Sequence, residues 1–380
     1  MSVSYLDNAA TTPVRREVLE AMTPYLTSHF GNPSSHHTIG EQAAGALADA
    51  RIRVAAILGM RPTDVIFTSG ATEANNLALK GVAIAAQQRR GARHVVTTPI
   101  EHESVLGSVD YLTRIHGFDA TLVPVDTTGL VDPHAVAAAI RDDTAIVSVG
   151  YANNEIGTVQ DVAGLVTAVA GRVPLHLDAV QAAGWLPLNG LGADALSVAG
   201  HKIGAPKGIG ALGIRSRIPL EPVLHGGGQE RERRSGTENV AGAVGLARAL
   251  ELAEAERADA AERVSGMRDD LISGVLERVP NARLTGHPEH RLPGTASFTF
   301  SGVNGETVLL ELERRGIVTS SGSACAAGSE EASHVLLALG IDHDEARTAV
   351  RVTLGQGATG SVAPVVDAIE AAVAAVGSGV

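Results

Sequence analysis

An acid and an amine follow neighbouring β-rich runs of this sequence, and together they could carry carbonyl chemistry. Asp178 closes the apolar run 175–177, where a buried carboxylate is costly unless a cation or a strong donor meets it. Lys202 follows the run 195–198 among glycines. A lysine in a desolvated pocket has a lowered pKa and can form a Schiff base with an aldehyde. The alternatives are an aspartate that forms a turn with nearby backbone and a solvated surface lysine.

A third feature is the turn at residues 67–73, where a glycine and small hydroxyl residues connect a strand end to a helix that starts near Ala74. Backbone N–H groups and the helix dipole would favour a phosphate there, although Ser69 and Thr72 could also be plain N-caps. A pyridoxal phosphate site needs a phosphate turn, an acid for the ring nitrogen and a Schiff-base lysine. The combination therefore favours such a site.

Three other polar positions could serve the same ligand. His102 follows the run 94–98 and could lay its ring over a flat cofactor or move protons, or it is an ordinary histidine at a helix N-terminus. One amide of the pair Asn153 and Asn154 could bond a ring oxygen or a substrate carboxylate, or the pair could only form a turn. Arg351, inside the run 349–354, could grip a carboxylate with both nitrogens of its fork, or face outward from its strand.

Cys325 is the only cysteine of the chain, which rules out an internal disulfide framework and a cysteine-rich zinc site. Free cysteines are often inert and buried. However, residues 320–329 are nearly all small and offer nothing to anchor the segment in a core. We therefore expect an exposed, mobile loop on which the thiol acts as a reagent.

The composition narrows the class of protein. The 380 residues can bury at least one large core, and 44% are apolar and 19% charged, with no apolar run long enough to cross a bilayer. Residues 1–13 lack the features of a signal peptide, so we expect a cytoplasmic protein. A net charge of −12 and only 3% aromatic residues argue against nucleic acid as a partner.

The order of the predicted elements indicates an α/β fold with a mainly parallel, seven-stranded sheet. Short β-rich runs alternate with helical stretches: 65–69, 94–98, 121–125, 145–149, 175–177, 195–198 and 211–214. Ligands gather at the carboxyl ends of such strands. A long helix at 237–279 should lead to a smaller α+β unit formed by a strand at 296–300, a helix at 305–315 and a strand at 349–354, onto which the N-terminal segment folds back.

Taken together, these segments resemble the cysteine desulfurases, which are fold-type I pyridoxal-phosphate enzymes of the class V aminotransferase group. The SSGSAC signature at 320–325 is similar to the long-loop subgroup that serves iron–sulfur cluster assembly. The resemblance implies a large cofactor-binding domain at 15–255 and a small domain at 1–14 and 256–380, with the mobile loop at about 318–332. The matching motifs span almost the whole chain: YLDNAATTP (5–13), GNPSS (31–35), SGATE (69–73), EH (101–102), NNEIG (153–157), DAVQ (178–181), GHK (200–202) and RSGT (234–237).

The resemblance also implies a role for each residue of the site. Lys202 would carry pyridoxal 5′-phosphate, Asp178 would pair with its ring nitrogen, and His102 would stack on the ring and assist catalysis. The remaining contacts would be Gln181 to the ring hydroxyl, Ala71, Thr72 and His201 to the phosphate, Thr237 to the phosphate of a second subunit, and Asn154 with Arg351 to the carboxylate of L-cysteine. A homodimer would then be the working unit.

In the implied reaction, the Cys325 thiolate attacks the sulfur of L-cysteine, which leaves alanine and a Cys325 persulfide for a sulfur acceptor or iron–sulfur scaffold protein. No resident metal is expected, although Cys325 could transiently ligate a nascent cluster. Ala199 stands where the family commonly has a phosphate-binding serine, so one contact is expected to be missing, and the short tail ending at Val380 leaves the choice of partner open. The alternatives are an aminotransferase or β-lyase of the same fold, or a non-catalytic docking protein for sulfur carriers.

Overall fold

Seven strands form one sheet in the larger part of the protein. The computed structural model of the protein describes residues 3–322 and 332–377. The sheet order is β2-β8-β7-β6-β5-β3-β4. Only β8 runs antiparallel to its neighbours, so the predicted mainly parallel α/β sheet is confirmed. The strands are β2 (Val65–Thr68), β3 (His94–Thr97), β4 (Asp119–Leu122), β5 (Thr144–Gly150), β6 (Leu175–Asp178), β7 (Ala195–Ala199) and β8 (Gly210–Ile214).

Helices cover both faces of this sheet. One apolar core lies between the sheet and the helices α1, α2, α7 and the start of α9, and another lies beneath α3, α4 and α5. The helices of this part are α1 (Arg16–Thr27), α2 (Thr38–Leu58), α3 (Ala71–Asn76), α4 (Val82–Arg90), α5 (Glu103–His116), α6 (Pro133–Ala139), α7 (Val162–Val169) and the single turn α8 (Gln229–Glu232).

The predicted smaller unit also forms, with a core of its own. Its antiparallel sheet has the order β12-β10-β9, and the N-terminal strand β1 pairs with β11 in parallel, so the chain start folds back as expected. Its elements are β1 (Ser4–Tyr5), β9 (Ala282–Leu284), β10 (Thr295–Phe300), α10 (Gly305–Arg314), β11 (Ile317–Val318), α11 (His334–Ala338), α12 (His343–Ala346), β12 (Val350–Thr353) and α13 (Ala363–Gly377).

Helix α9 (Val240–Arg278) joins the two parts as one continuous element. It begins at Asn239, whose side chain accepts a hydrogen bond from Gly242 N, and this matches the predicted helix at 237–279 within a few residues. Leu250 packs in the core of the large sheet, whereas Leu271 packs in that of the smaller unit. The helix thus passes through the expected boundary at 255–256, and the division into domains stays a prediction. None of the helices in the described ranges has the length and apolar character needed to span a membrane.

Two close backbone approaches shape the carboxyl edge of the sheet. A Cβ on Gly210, at the start of β8, would lie 2.7 Å from the carbonyl carbon of Gly70, so only glycine allows β8 to meet the turn that precedes α3. Gly200, at the end of β7, would place a Cβ 2.8 Å from a side-chain carbon of Ile209. These contacts hold the turn at Gly70 and the turn that carries Lys202 beside each other.

Candidate active site

A cavity of about 810 Å³ opens at the carboxyl ends of the central strands, where the fold was predicted to bind its ligand. Most of the predicted site residues line this one cavity: Ala71, Thr72, His102, Asn154, Asp178, Gln181, His201, Lys202 and Arg351. Thr237 is exposed and is not part of this lining. Cys325 lies outside the described residues, but Gly322 and Ala332, which border that segment, both line the cavity.

Lys202 is positioned by a short 3₁₀ turn, Gly200–Lys202, directly after β7. Its side chain is half-buried, and its Nζ donates to the carbonyl oxygens of Ala9 and Ala10, the latter at 2.8 Å. Gln181 Nε2 donates to the same Ala9 oxygen at 3.1 Å. The alternative of a solvated surface lysine is therefore wrong, and the N-terminal segment holds the amine at the cavity wall.

Asp178 ends β6 and is buried. Its Oδ1 accepts from Val180 N at 3.1 Å, as a turn-forming aspartate would, and its Oδ2 accepts from Asn75 Nδ2 at 2.6 Å. The turn interpretation of this residue is therefore correct, and the same carboxylate also lines the cavity, where its role toward a ligand stays a prediction. In the described ranges no lysine, arginine or histidine forms an ion pair with it. A buried anion of this kind fits a ligand that brings its own cation.

His102 is the N-cap of α5, and its Nδ1 accepts a hydrogen bond from Ser104 N at 3.0 Å. The ordinary interpretation as a histidine at a helix N-terminus is thus correct, but it does not exclude the functional one, because the same ring lines the cavity. The cap fixes the direction of the ring relative to the start of α5.

Helix α3, whose first residues also line the cavity, begins at Ala71 after Gly70 and has no side-chain cap. The plain N-cap interpretation of Ser69 and Thr72 is therefore wrong. Glu73 folds back instead, and its Oε2 accepts from Ser69 N at 2.7 Å. Ala199 is fully buried and lines the cavity without a hydroxyl, as its residue type predicted.

His201 also lines the cavity, with its Nδ1 at 3.2 Å from Thr11 Oγ1. Burial, followed by the charges of Lys202 and Lys207, lowers the pKa of its imidazole to about 4. The ring is therefore neutral and can still donate one hydrogen bond to an anion. Lys207 also lines the cavity, although nothing in its surroundings in the sequence had singled it out.

Arg351 is the largest fully buried side chain of the described residues, so the alternative of an outward-facing strand arginine is wrong. Its Nη2 donates to Asp7 Oδ1 at 2.6 Å and its Nη1 donates to Asn154 O at 2.8 Å. Its Nε is buried and has no partner among the described residues. An unsatisfied buried donor at a cavity wall is the kind of group that a carboxylate ligand satisfies.

The two asparagines at 153–154 have different surroundings. Asn153 forms the turn, because its Oδ1 accepts from the backbone N–H groups of Glu155 and Ile156 and its Nδ2 donates to Ile100 O at 2.8 Å. The side chain of Asn154 is half-buried at the cavity wall. The turn interpretation is thus correct for Asn153, and the functional interpretation stays a prediction for Asn154.

Sequence reasoning missed Glu101 and Asn75, which also line the cavity. Glu101 is buried, and burial raises the pKa of its carboxyl to about 7, despite a 2.6 Å hydrogen bond from Thr98 Oγ1. The nearby Asp178 raises it further. The only signal available beforehand was that Glu101 directly precedes His102 after a strand.

Comparison with known proteins finds relatives that match almost the whole chain. Residues 4–361 match the family described as aminotransferase class-V. A cysteine desulfurase IscS of Methanosarcina thermophila is 46% identical over 355 residues, which cover 93% of this chain and 87% of that protein. A solved structure titled NifS-like protein superposes with a TM-score of 0.88 at 37% identity, covering 100% of this chain and 99% of that one. Another, titled SspA in complex with cysteine, gives a TM-score of 0.80 at 36% identity and covers 92% and 98% of the two chains.

Proposed function

This chain belongs to the class-V aminotransferase family, and we propose that it is a cysteine desulfurase that works with pyridoxal 5′-phosphate in the 810 Å³ cavity. It converts L-cysteine and its own Cys325 thiol into L-alanine and a Cys325 persulfide. The observation that carries this proposal is the convergence of Lys202, Asp178 and Arg351 on one cavity between the two parts of the fold.

The side chains of the cavity fit the cofactor by their chemistry. Asp178 is a buried acid without a cationic partner in the described ranges, which suits a protonated ring nitrogen. The start of α3 and the neutral imidazole of His201 supply donors for a phosphate. We assign the contacts as follows: Lys202 to the aldehyde carbon, Asp178 to the ring nitrogen, Gln181 to the ring hydroxyl, His102 and Asn154 to the ring, and Ala71, Thr72 and His201 to the phosphate.

When bound, pyridoxal phosphate supplies a ring that accepts electrons and so stabilises negative charge at the α-carbon of an amino acid. The protein supplies the rest. Asn154 and Arg351, whose Nε has no partner in the described part of the chain, orient the substrate carboxylate. Lys202 would move the proton at the α-carbon, since its amine is held at the cavity wall. His102 would stack on the ring, since its hydrogen bond from Ser104 N holds the direction of the imidazole.

The sulfur step belongs to Cys325. Its thiolate attacks the sulfur of L-cysteine, an S–S bond forms, the carbon–sulfur bond of the substrate breaks, and that carbon takes up a proton to become the methyl group of alanine. Cys325 lies outside the described residues, but Gly322 and Ala332 both line the cavity. The segment between them therefore starts and ends at the place where the substrate would bind.

Two finer statements complete the proposal. The working unit is a homodimer in which Thr237 serves the phosphate of the partner subunit, because Thr237 is exposed and does not line the cavity of its own chain. The persulfide then passes its sulfur to an acceptor protein, such as an iron–sulfur scaffold, as the name IscS of the Methanosarcina relative suggests.

The proposed function is tested by mixing purified protein with L-cysteine and dithiothreitol and measuring alanine, sulfide and visible absorbance. The wild type should release alanine and sulfide in equal amounts. Cys325→Ser should keep the absorbance of the bound cofactor but form neither product, whereas Ser329→Ala, in the same segment, should behave as the wild type. Alanine formed by Cys325→Ser would refute the persulfide step, and an amino-group transfer to a keto acid would favour an aminotransferase instead.

A further inference from the structure

We propose that Asn75 is a positioning residue that joins Asp178 and His102 into one hydrogen-bonded unit through Ser104. The proposal rests on the proposed function, since Asp178 and His102 are the groups assigned to the cofactor ring. Neither Asn75 nor Ser104 follows from the residue pattern, because both are ordinary helical residues, Asn75 near the end of α3 and Ser104 near the start of α5.

The contacts form a continuous path of hydrogen bonds. The Nδ2 of the buried Asn75 donates to Asp178 Oδ2 at 2.6 Å and to Ser104 Oγ at 2.9 Å. Ser104 Oγ in turn lies 2.8 Å from His102 Nδ1. One amide nitrogen therefore connects the acid at the end of β6 with the histidine that caps α5.

The chemistry of the partners determines the direction of each proton. An ionised carboxylate only accepts, so Asn75 must turn its NH₂ group toward Asp178. Its second N–H then points to the hydroxyl of Ser104, which is left to donate its own proton to His102 Nδ1. That ring nitrogen also accepts from Ser104 N at 3.0 Å. A ring nitrogen that accepts carries no proton, so the neutral imidazole of His102 has its proton on Nε2.

The orientation of the Asn75 amide leaves its oxygen in an unfavourable position. Its Oδ1 is buried and has no hydrogen-bond partner among the described residues. Buried amide oxygens are rarely left unsatisfied. Rotation of the amide could offer Oδ1 a different neighbour, but it would then press that oxygen against the carboxylate of Asp178. The carboxylate of Asp178 therefore decides how the amide points, and through the hydroxyl of Ser104 it supports the tautomer of His102 that the backbone N–H of Ser104 also requires.

Two substitutions of Asn75 separate this role from simple packing. Asn75→Ala should weaken cofactor binding about tenfold, since a hydrogen bond to a charged group is lost. It should also shift the pH profile of the absorbance of the bound cofactor. Asn75→Asp keeps the volume but removes the donor, so it should bind the cofactor more weakly still.

The neighbouring Asn76→Ala is the matched control, because Asn76 Nδ2 bonds Thr72 O at 2.8 Å and should leave binding and absorbance unchanged. Cofactor binding by Asn75→Asp at the wild-type level, with an unchanged pH profile, would overturn the proposal.

The link from Ser104 to His102 is tested with Ser104→Ala and with the double variant Asn75→Ala plus Ser104→Ala. The double variant should bind the cofactor no more weakly than Asn75→Ala alone, as measured by the dissociation constant. Purely additive losses would mean that the acid and the histidine act independently, and would overturn the proposal. Nitrogen-15 spectra of the holoenzyme should show His102 as the Nε2–H tautomer, and an Nδ1–H tautomer would also contradict it. A loss of cofactor absorbance in the Cys325→Ser protein, in contrast, would count against the proposed function itself.

Discussion

At the scale of single residues, Glu101 is a buried acid whose ionisation the fold opposes. Burial raises its pKa from 4.5 to about 7, so the folded protein binds this proton more tightly than the unfolded chain does. The free energy of unfolding should therefore fall as the pH rises from about 4.5 to 7. Above that range Glu101 should lower it no further. Glutamine at this position keeps the shape and does not titrate.

We predict that Glu101→Gln becomes more stable relative to the wild type as the pH rises, by up to about 3 kcal/mol between pH 4.5 and pH 8. Urea unfolding of the cofactor-free proteins at several pH values measures this difference. The exposed Glu103, two residues further on, is the matched control, and Glu103→Gln should follow the wild type. A constant difference between Glu101→Gln and wild type at all pH values would contradict the raised pKa.

Ala199 offers a second prediction at this scale. Its methyl group is fully buried at the cavity wall, where a serine hydroxyl could reach the phosphate. Ala199→Ser should tighten cofactor binding by about 1 kcal/mol, or roughly fivefold, which is the usual net contribution of one hydrogen bond. The dissociation constant of the cofactor measures this change. Ala152→Ser adds the same hydroxyl elsewhere in the cavity lining and should not tighten binding, and equal effects of both substitutions would count against a phosphate contact.

The residue scale also explains which parts of the site could be predicted. Asp178 and Arg351 stood out because a charge within an apolar run needs a reason in any fold. Asn75 did not, since it is followed by another asparagine and the two are indistinguishable in the sequence. The two asparagines are distinguished only in the folded chain, where β6 places Asp178 Oδ2 2.6 Å from Asn75 Nδ2. That contact joins residues that are 103 positions apart, so local patterns carry no information about it.

At the scale of elements, the strands of the large sheet were predicted well because both faces are covered and each strand is a short apolar run. Strand β4 is the exception, as it was predicted at 121–125 but spans Asp119–Leu122. It is an edge strand and mostly exposed, so burial does not determine where it begins. Its register with β3, from His94 opposite Asp119 to Thr97 opposite Leu122, sets its limits instead. The two-residue strands β1 and β11 gave no periodic signal at all.

One ion pair between elements supports an unusual turn beside the site. Arg51 of α2 binds Glu230 of α8 through two hydrogen bonds of 2.6 and 2.8 Å, and both side chains are almost fully buried. Glu230 and the next two residues all have left-handed backbone angles, with φ of 49°, 59° and 65°. Such residues persist only where their surroundings hold them. Glu230 also accepts from Phe67 N in β2, the strand that leads to the turn at Gly70.

We predict that Arg51→Met lowers the free energy of unfolding by about 3 to 5 kcal/mol, because it leaves the carboxylate of Glu230 buried and unpaired. The double variant Arg51→Met with Glu230→Leu should recover much of this loss. Arg16→Met serves as control, since its ion pair with Glu20 is exposed and should contribute less than about 1 kcal/mol. Urea unfolding gives all these values, and a loss for Arg51→Met as small as that of Arg16→Met would contradict the prediction.

At the scale of the whole molecule, the site exists only because the chain start returns to the middle of the fold. Asp7 binds Arg351 at 2.6 Å, while the carbonyl oxygens of Ala9 and Ala10 hold Lys202, so one N-terminal segment positions groups of both parts of the protein. The sequence predicted this return, but not its contacts, since backbone carbonyl oxygens carry no residue signature. The subunit arrangement could be expected from the resemblance alone.

The exposed Thr237 allows that arrangement to be tested. Its segment is anchored by Arg234, whose Nε donates to Glu73 Oε1 at 2.7 Å, yet Thr237 does not line the cavity of its own chain. If Thr237 serves the partner subunit, Thr237→Glu should repel the phosphate in the partner's site and not in the site of its own chain. Lys202→Ala disables only the site of the chain that carries it.

We therefore predict opposite results for two purified heterodimers. A Lys202→Ala chain paired with a Thr237→Glu chain should keep one working site, formed by the Lys202 of one chain and the Thr237 of the other, and should show about half of the wild-type desulfurase activity per dimer. A chain with both substitutions paired with a wild-type chain should be inactive, because the remaining Lys202 faces the altered residue. If Thr237 acted within its own chain, the first heterodimer would be inactive and the second half-active, so alanine production by the two heterodimers decides between the arrangements.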